Sequence, residues 1–264
     1  MHWLLTIFLS FQALALIGGR ETRDRAFRAV VPFVPGLSGY CSGTFIKSRF
    51  YLTALHCLYV GEDKRWLGDR PLKLLPFADK PDHQNPAARQ IKPEDFVVHT
   101  MQPSHIRLNP SYRFNGDDAP DIAIIEFRRP QNSHPMPVWK RDLEDGDKVT
   151  MSGYGCTRLN GPLRGVSTFR IKETKIGLSD GETYEIANSF GTGLCPGDSG
   201  GPLMVRTRQG YSVAAVNSNL TGIGIPGIII HERNIYAARL SGHQDNALEW
   251  LLEVVSKNSF ASSR

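Results

Sequence analysis

The segment 194–205, LCPGDSGGPLMV, places a single serine, Ser199, among three glycines. Glycine is used where the backbone takes a positive φ or lies close to another group, and it costs conformational entropy on folding. A simple turn needs fewer glycines, so their density around one hydroxyl indicates main-chain amides that face a reacting group. A serine hydroxyl is a weak nucleophile until a general base accepts its proton. The segment therefore predicts a catalytic serine whose base comes from elsewhere in the chain.

His56 is the candidate base. Cys41 and Cys57 lie at the ends of two strand-like runs that are joined by a polar turn at 47–49. Such a hairpin brings its ends together, so we expect a disulfide between these cysteines, which stabilises the fold by roughly 3 kcal/mol in the chain-entropy treatment. The bridge would hold the backbone of His56. The other seven histidines lack such support and are interpreted as ordinary surface or core residues.

Asp121 is the candidate acidic partner in the segment NGDDAPDIAIIEF. Asp117 and Asp118 follow an Asn-Gly pair and are predicted to lie in a turn. Asp121 opens an apolar strand, where its carboxylate loses water unless a neighbouring group donates to it. An aspartate at the start of a strand is usually a cap or a surface residue, so it supports an active site only together with His56 and Ser199.

The motif GDSGG also fits the nucleophile elbow of α/β-hydrolases, G-x-S-x-G. That elbow requires a strand, the serine and then a helix, with the catalytic residues in the order serine, acid, histidine. A strand-like run follows Ser199 instead, and too few residues remain after it for the second half of that fold. We therefore reject the α/β-hydrolase interpretation.

Short alternating or apolar runs recur throughout the chain, including AVVPFV, CSGTFI, YLTAL, DIAIIEF, PLMVRT and GIIIHE. This density of strands predicts an all-β sandwich or barrel. One helix is predicted near the C-terminus, with Asn246 as its cap and Glu249 completing a capping box. The proline-rich, charged segment 128–147 is predicted to link two β halves, and the segment 61–96 is predicted to be a long surface excursion.

Composition and the N-terminal segment bound the class of protein. The 264 residues carry a net charge of +5 from dispersed lysines and arginines, which favours a solvated basic surface over a nucleic-acid partner. Residues 1–15 have no charged side chain, and their apolar core is too short to span a membrane comfortably. With Ala13-Leu14-Ala15 they predict a secretory signal peptide. Four cysteines agree with export, so we expect a secreted or periplasmic protein without stable membrane insertion after signal removal.

The motifs TALHC, DIAII and GDSGGP occur in the order histidine, aspartate, serine. This order resembles the chymotrypsin-like (trypsin-fold) serine peptidases, and NPSY, SGYG and NIYAARL look like further landmarks of that family. The resemblance covers nearly all of the chain after residue 16. Cysteines beside GYG and CPGDSGGP look most like bacterial members. Leu55, where the family usually has alanine, and the enlarged 61–96 region are departures that remove no catalytic group.

The resemblance implies two six-stranded antiparallel β-barrels followed by a C-terminal α-helix. The boundaries would be about 16–135 for the N-terminal barrel, about 140–240 for the C-terminal barrel and about 246–256 for the helix. The active site would lie between the barrels of a secreted serine endopeptidase.

Each catalytic role is carried over from the family by position. Ser199 would attack the substrate, His56 would transfer the proton, and Asp121 would orient and stabilise the imidazolium. The amides of Gly197 and Ser199 would form the oxyanion hole, each worth about 3 kcal/mol to the transition state.

The family's specificity pocket corresponds to a base at Gly193, with Leu194 next to it. Neither residue carries a carboxylate that could bind a substrate arginine or lysine, so we expect uncharged, small or apolar residues at the P1 position. The walls of the pocket would include the remaining predicted substrate-binding residues, Ser218, Asn219, Leu220 and Asn234.

Two further pairs of residues follow from the resemblance. Four cysteines allow three pairings, and assigning the hairpin bridge leaves Cys156 with Cys195, which would brace the oxyanion loop.

The N-terminus in this family is released by cleavage and inserts beside the aspartate before the nucleophile. Signal cleavage before LIGGRE would free the amine of Leu16 to pair with Asp198. Cleavage elsewhere, with the glycines as a flexible lead-in, is an equal alternative.

Partners and cofactors are constrained only in part. We expect a monomer that acts on protein or peptide substrates without a cofactor, and no metal cluster is visible because the cysteines are assigned to disulfides and H-E-x-x-H is absent. A calcium-binding loop at Glu62 and Asp63 is an alternative, although ordinary surface charges are favoured.

The alternative function is an inactive peptidase homologue that serves as a secreted binding module. The complete set of catalytic residues favours activity over this alternative and over a structural protein with a fortuitous motif.

Overall fold

The computed structural model describes residues 16, 19–35, 40–60, 65–66, 71–77, 88–101, 120–132, 134–155, 168–179, 183–187, 193–221, 234–241 and 246–257. In these ranges the chain is mostly strand, with a single C-terminal α-helix. The elements are β1 (Arg20–Glu21), β2 (Val30–Pro35), β3 (Cys41–Lys47), β4 (Phe50–Thr53), β5 (Tyr59–Val60), β6 (Arg65–Trp66), β7 (Leu72–Leu74), β8 (Arg89–Ile91), β9 (Phe96–Thr100), β10 (Ala123–Phe127), β11 (Lys148–Gly153), β12 (Arg170–Ser179), β13 (Thr183–Ile186), β14 (Pro202–Thr207), β15 (Gly210–Thr221), β16 (Asn234–Arg239) and α1 (Ala247–Ser256).

The C-terminal half forms a closed antiparallel barrel. Six strands pair in the order β12, β11, β14, β15, β16 and β13, and β13 pairs back to β12. Closure removes the sheet edges. Val149 and Met151 alternate along β11 and are buried in the same core cluster as Leu203 of β14, as expected for residues that share one face of a strand.

The N-terminal half forms a seven-stranded antiparallel sheet in the order β8, β7, β2, β3, β4, β10 and β9. In the described part of the chain its outer strands, β8 and β9, do not pair with each other, so this half is a half-barrel. Strand β10 lies between two neighbours, and all five of its residues are buried, which explains why four of them are apolar. The fifth, Glu126, forms an ion pair with Arg49. The predicted all-β, two-barrel architecture is confirmed, with an open first barrel.

One apolar cluster contains residues of both halves. Phe27, which precedes β2, packs against Phe169 at 5.5 Å between ring centroids. Tyr154, directly after β11, is fully buried and donates a hydrogen bond from its hydroxyl to the carbonyl of Val30, at 3.1 Å. These contacts fix the N-terminal sheet against the C-terminal barrel, so a site between them has walls of defined separation.

The segment between β10 and β11 crosses from one half to the other. The amide of Met136 donates to the carbonyl of Phe45 in β3, at 2.8 Å, and the amide of Trp139 donates to the carbonyl of Val213 in β15, also at 2.8 Å. The chain therefore touches both sheets within a few residues, in the segment that its proline and charge content predicts to be a linker.

The prediction of a long surface excursion at 61–96 is wrong for part of that segment. Strands β7 and β8 lie within it and extend the first sheet beside β2. Leu72 and Leu74 are buried on one face of β7 with the exposed Lys73 between them. This alternation is that of a half-buried strand, and the surrounding prolines and charges obscured it.

Helix α1 follows the second barrel and packs through Ala247 and Leu251. The predicted capping box is not formed, because Asn246 adopts a left-handed conformation at φ 48° and its side chain makes no cap hydrogen bond. A capping side chain normally requires an extended backbone at this position. No helix in the described part of the chain is long and apolar enough to cross a membrane. The predicted signal peptide, residues 1–15, lies outside the described residues.

Candidate active site

His56 lies in a short 3-10 turn, Leu55–Leu58, that follows β4. The predicted disulfide between Cys41 and Cys57 is confirmed, and it ties this turn to the start of β3. The ring nitrogen Nδ1 of His56 lies 2.6 Å from Oδ2 of Asp121, and the backbone amide of His56 donates to Oδ1 of the same carboxylate at 2.8 Å. One carboxylate therefore holds both the ring and the backbone of the histidine.

Asp121 is almost completely buried, at 8% exposure, just before β10. Its carboxylate also accepts a hydrogen bond from the hydroxyl of Ser218, at 2.6 Å. Ser218 lies on β15 of the second barrel, so this bond crosses between the two halves. The sequence predicts Ser218 only as a pocket residue, because nothing in the run AVNSNL indicates that its hydroxyl turns towards an acid.

The charges of this pair stabilise each other. Burial acts to lower the pKa of His56, but the charge and hydrogen bond of Asp121 outweigh it and raise that pKa above 6.5. Burial acts to raise the pKa of Asp121, but His56 and the hydrogen bonds that the carboxylate accepts bring that pKa below 3.8. Asp121 is therefore an ionised acceptor at neutral pH. The proton between the two groups resides on Nδ1, which leaves Nε2 as the basic nitrogen.

Ser199 is half-buried in a turn whose shape depends on its glycines. Gly197 has φ +100° and Gly200 has φ +81°, both in the left-handed region that other residues avoid. A Cβ atom on Gly197 would overlap the ring of Tyr40, and one on Gly200 would overlap the Thr53 hydroxyl. These glycines are required for conformation and for close approach to the first barrel.

The amides of Gly197 and Ser199 make no hydrogen bond to any group in the part of the chain that the structure describes. Their carbonyls, however, are bound by Ser42. The Ser42 hydroxyl donates to the carbonyl of Gly197, and the Ser42 amide donates to the carbonyl of Ser199. A buried backbone N–H without an acceptor is rare in folded proteins. Two donors that are separated by a single residue, in the turn that carries a serine hydroxyl, can bind an oxyanion.

Asp198 is fully buried behind the turn. Its carboxylate accepts hydrogen bonds from the amides of Gly155, at 2.8 Å, and Cys195, at 2.9 Å. Burial raises the pKa of Asp198 to about 7, although these bonds and the charge of Arg170 act in the opposite direction. Leu16 is also fully buried and belongs to the same core cluster as Leu194.

The predicted specificity pocket is only partly described. Gly193 is buried, and among the described residues a Cβ atom on it would meet nothing within 4 Å. Leu194 is buried in the core of the second barrel. The backbones of Asn219 and Leu220 in β15 pair with β16, which begins at Asn234. The side chains of these three residues lie outside the described part.

Two further features concern the second predicted disulfide and a cluster of possible metal ligands. Cys195 is disulfide-bonded, but its predicted partner, Cys156, lies outside the described residues, as do Glu62 and Asp63. Ligand atoms of Cys41, His56 and Cys57 cluster within 4.8 Å of one another. The two sulfurs are bonded to each other, so they are not thiolate ligands and this cluster is not a metal site.

Comparison with known proteins gives the family. The chain matches the family model for Trypsin over residues 16–237. It is 24% identical over 227 residues to serine protease SP24D of Anopheles gambiae, covering 82% of this chain and 76% of that protein. It is 23% identical over 256 residues to CLIP domain-containing serine protease B14 of Anopheles gambiae, covering 81% and 68%. A trypsin of Phaedon cochleariae is 24% identical over 212 residues, covering 73% and 74%.

These relatives are insect proteins, so the expected likeness to bacterial members is not supported. The family match extends from Leu16 almost to the end of β16 and includes the histidine turn, Asp121 and the nucleophile turn. The chain therefore belongs to the trypsin family of serine proteases.

Proposed function

We propose that this chain is a secreted serine endopeptidase that cleaves peptide bonds through an acyl-enzyme. The observation that carries the proposal is the His56–Asp121 contact, in which a buried carboxylate holds the ring at 2.6 Å and the backbone at 2.8 Å. Membership of the trypsin family supports the reaction class. Secretion rests on the signal-like residues 1–15 and on the disulfide between Cys41 and Cys57.

In the proposed acylation step, Oγ of Ser199 attacks the scissile carbonyl while Nε2 of His56 accepts the hydroxyl proton. Asp121 stabilises the imidazolium that forms, in agreement with the raised pKa of His56. The negative charge on the carbonyl oxygen is bound by the amides of Gly197 and Ser199. Collapse of the intermediate breaks the C–N bond, and His56 donates its proton to the leaving amine. Water then hydrolyses the acyl-enzyme by the same steps.

The proposed P1 preference is for uncharged, small or apolar residues. Gly193, which corresponds to the base of the family's pocket, carries no charged side chain, and no described residue lies within 4 Å of where its Cβ atom would be. Leu194 is apolar and buried. A substrate arginine or lysine would therefore lose water at this position without gaining a carboxylate partner there.

The proposed activation step is the docking of the Leu16 amine beside Asp198. The buried carboxylate accepts two backbone amides but has a pKa raised to about 7, so an ammonium group would stabilise its ionised form. Breaking a buried ion pair costs about 3–5 kcal/mol, which is enough to disorganise the adjoining turn. The mature enzyme would then begin at Leu16.

The test of the function is labelling by a fluorophosphonate, which reacts with activated serines. A secreted chain that begins at Leu16 is expected to be labelled at Ser199, and Ser199→Ala is expected to abolish the label. His56→Ala should slow labelling because the hydroxyl loses its base. A folded chain that is not labelled, and that releases no product from a peptide library, would instead support the inactive binding homologue.

A further inference from the structure

Ser42, on β3, is fully buried and lies between the two halves of the molecule. Its hydroxyl donates to the carbonyl of Gly197 at 2.7 Å and accepts from the amide of Tyr154 at 3.0 Å. Its own amide donates to the carbonyl of Ser199 at 2.9 Å. One residue of the first half therefore binds the carbonyls of Gly197 and Ser199, whose amides have no acceptor among the described residues.

The conformation of Gly197 depends on such contacts. At φ +100° and without a side chain, its backbone is held by the hydrogen bonds of the neighbouring peptide groups and by the ring of Tyr40. The Ser42 hydroxyl fixes the peptide group that follows Gly197, and its second bond ties the same hydroxyl to Tyr154 in the second barrel. Loss of the hydroxyl would leave the Gly197 carbonyl and the Tyr154 amide without this partner, and both groups could reorient.

The same strand also holds the histidine. Cys41, directly before Ser42, is bonded to Cys57, directly after His56. The carbonyl of Ser42 accepts a hydrogen bond from the hydroxyl of Thr53, at 2.9 Å, three residues before the histidine. Adjacent residues of β3 thus fix the positions of the proposed base and of the proposed oxyanion donors relative to each other.

We propose that the Ser42 hydroxyl is a positioning group for the oxyanion hole, an inference that rests on the proposed peptidase function. The oxyanion exists in the transition state and not in the bound substrate, so an interaction that orients its donors acts on kcat rather than on KM. Removal of an oxyanion donor costs about 10²–10³ in kcat. If a donor is present but loosely held, kcat should fall less, by about tenfold.

The test compares Ser42→Ala with Ser152→Ala. Ser152 is also fully buried, but its hydroxyl donates to the carbonyl of Pro202, at 3.4 Å, outside the nucleophile turn. Turnover of a peptide p-nitroanilide with a neutral P1 residue is measured per fluorophosphonate-titrated site, so that misfolded protein does not contribute. Ser42→Ala should lower kcat about tenfold with KM within about twofold, and should weaken binding of the matching peptide aldehyde about tenfold. Ser152→Ala should leave all three values within about twofold.

Ser42→Gly is measured in parallel, because it removes the same hydroxyl and leaves no side chain in its place. An unchanged kcat in either folded Ser42 variant overturns the inference, as does a rise in KM alone or an equal loss in Ser152→Ala. An inactive wild-type chain in this assay would overturn the peptidase function and the inference together. An active wild type with unaffected Ser42 variants would overturn the inference alone.

Discussion

The histidine side and the serine side of the candidate site are held by different forces. His56 and Asp121 are joined by a short contact between the ring and the carboxylate and by a hydrogen bond from the His56 amide, beside a disulfide. The nucleophile turn is held by hydrogen bonds from Ser42 to its carbonyls. It is held also by close packing, since Gly197 and Gly200 lie against Tyr40 and Thr53 with no room for a Cβ atom. Substitutions on the first side should therefore act mainly through pKa and tautomer, and substitutions on the second mainly through geometry.

The largest effect is expected from Asp121→Asn, which tests the electrostatic side. An asparagine can keep the shape of the site, but it no longer stabilises the imidazolium or fixes the proton on Nδ1. We expect kcat to fall by about 10⁴ at neutral pH, while the circular dichroism spectrum and KM change little. A loss below about tenfold would show that the carboxylate is not the orienting group.

The pH profile of the wild type should report the same pair. Neutral His56 is the active form, so kcat/KM should fall as pH drops through its pKa, with a midpoint above 6.5.

The pKa shifts of His56 and Asp121 affect stability with opposite signs. The raised pKa of His56 favours the fold at low pH and this contribution is lost as pH rises through that pKa, whereas the lowered pKa of Asp121 favours the fold above pH 3.8 and this contribution is lost on acidification.

The second largest effect is expected from Gly197→Ala, which tests the steric side. The new methyl group meets the Tyr40 ring, so the turn must move and the oxyanion amide with it. We expect kcat to fall by about 10²–10³, as for loss of an oxyanion donor. The matched control is Gly210→Ala at φ +125°, where a Cβ atom would meet none of the described residues within 4 Å. The control should lose about 1–2 kcal/mol of stability from backbone strain and keep its activity.

The sequence predicts the parts of the site that are encoded locally. The cysteines at the two ends of one hairpin predict their disulfide, which is confirmed. The structure also brings His56 and Asp121 into contact, although their catalytic roles stay predictions. The glycines around Ser199 predict an unusual turn because only glycine tolerates its backbone angles and close contacts.

Contacts between distant segments could not be predicted in the same way. Ser218 and Ser42 bind Asp121 and Gly197 across the two halves of the molecule, and an isolated serine in a strand carries no signal for its partner. The predicted Asn246 cap is absent because the backbone there is left-handed, at φ 48°, which the residue types of a capping box do not indicate. Tertiary packing decided the partners of the two serines.

A further prediction concerns Asp198, whose carboxylate is buried behind the nucleophile turn. With its pKa raised to about 7, an unpaired Asp198 favours the fold at low pH, and this contribution is lost as pH rises from 3.8 towards 7. A chain that begins at Leu16 should pair its amine with Asp198 and therefore melt at a higher temperature at pH 7.5 than one that carries an extra residue before Leu16. The extended chain should also lose about a hundredfold in kcat, from the roughly 3 kcal/mol that a broken buried pair costs.

The paired amine should also limit activity at high pH. A free α-amine titrates near pH ~8, and a carboxylate partner raises that pKa. Activity of the Leu16 chain should therefore fall only well above that pH. Full activity of the extended chain, or a secreted protein whose N-terminal sequencing shows another start, would exclude this activation step.

The smallest effect is expected from Ser218→Ala, which removes the hydrogen bond that joins the two sides of the site. The hydroxyl lowers the pKa of Asp121, but His56 and its amide also do so, and the carboxylate stays ionised without Ser218. A net hydrogen bond to a charged group is worth about 1.5–3 kcal/mol, and most of that is expected in stability, since the bond is present in the ground state and in the transition state alike. We expect a lower melting temperature with kcat reduced about fivefold or less. A loss near that of Asp121→Asn would show that the carboxylate is oriented from the second barrel and that the two sides act as one unit.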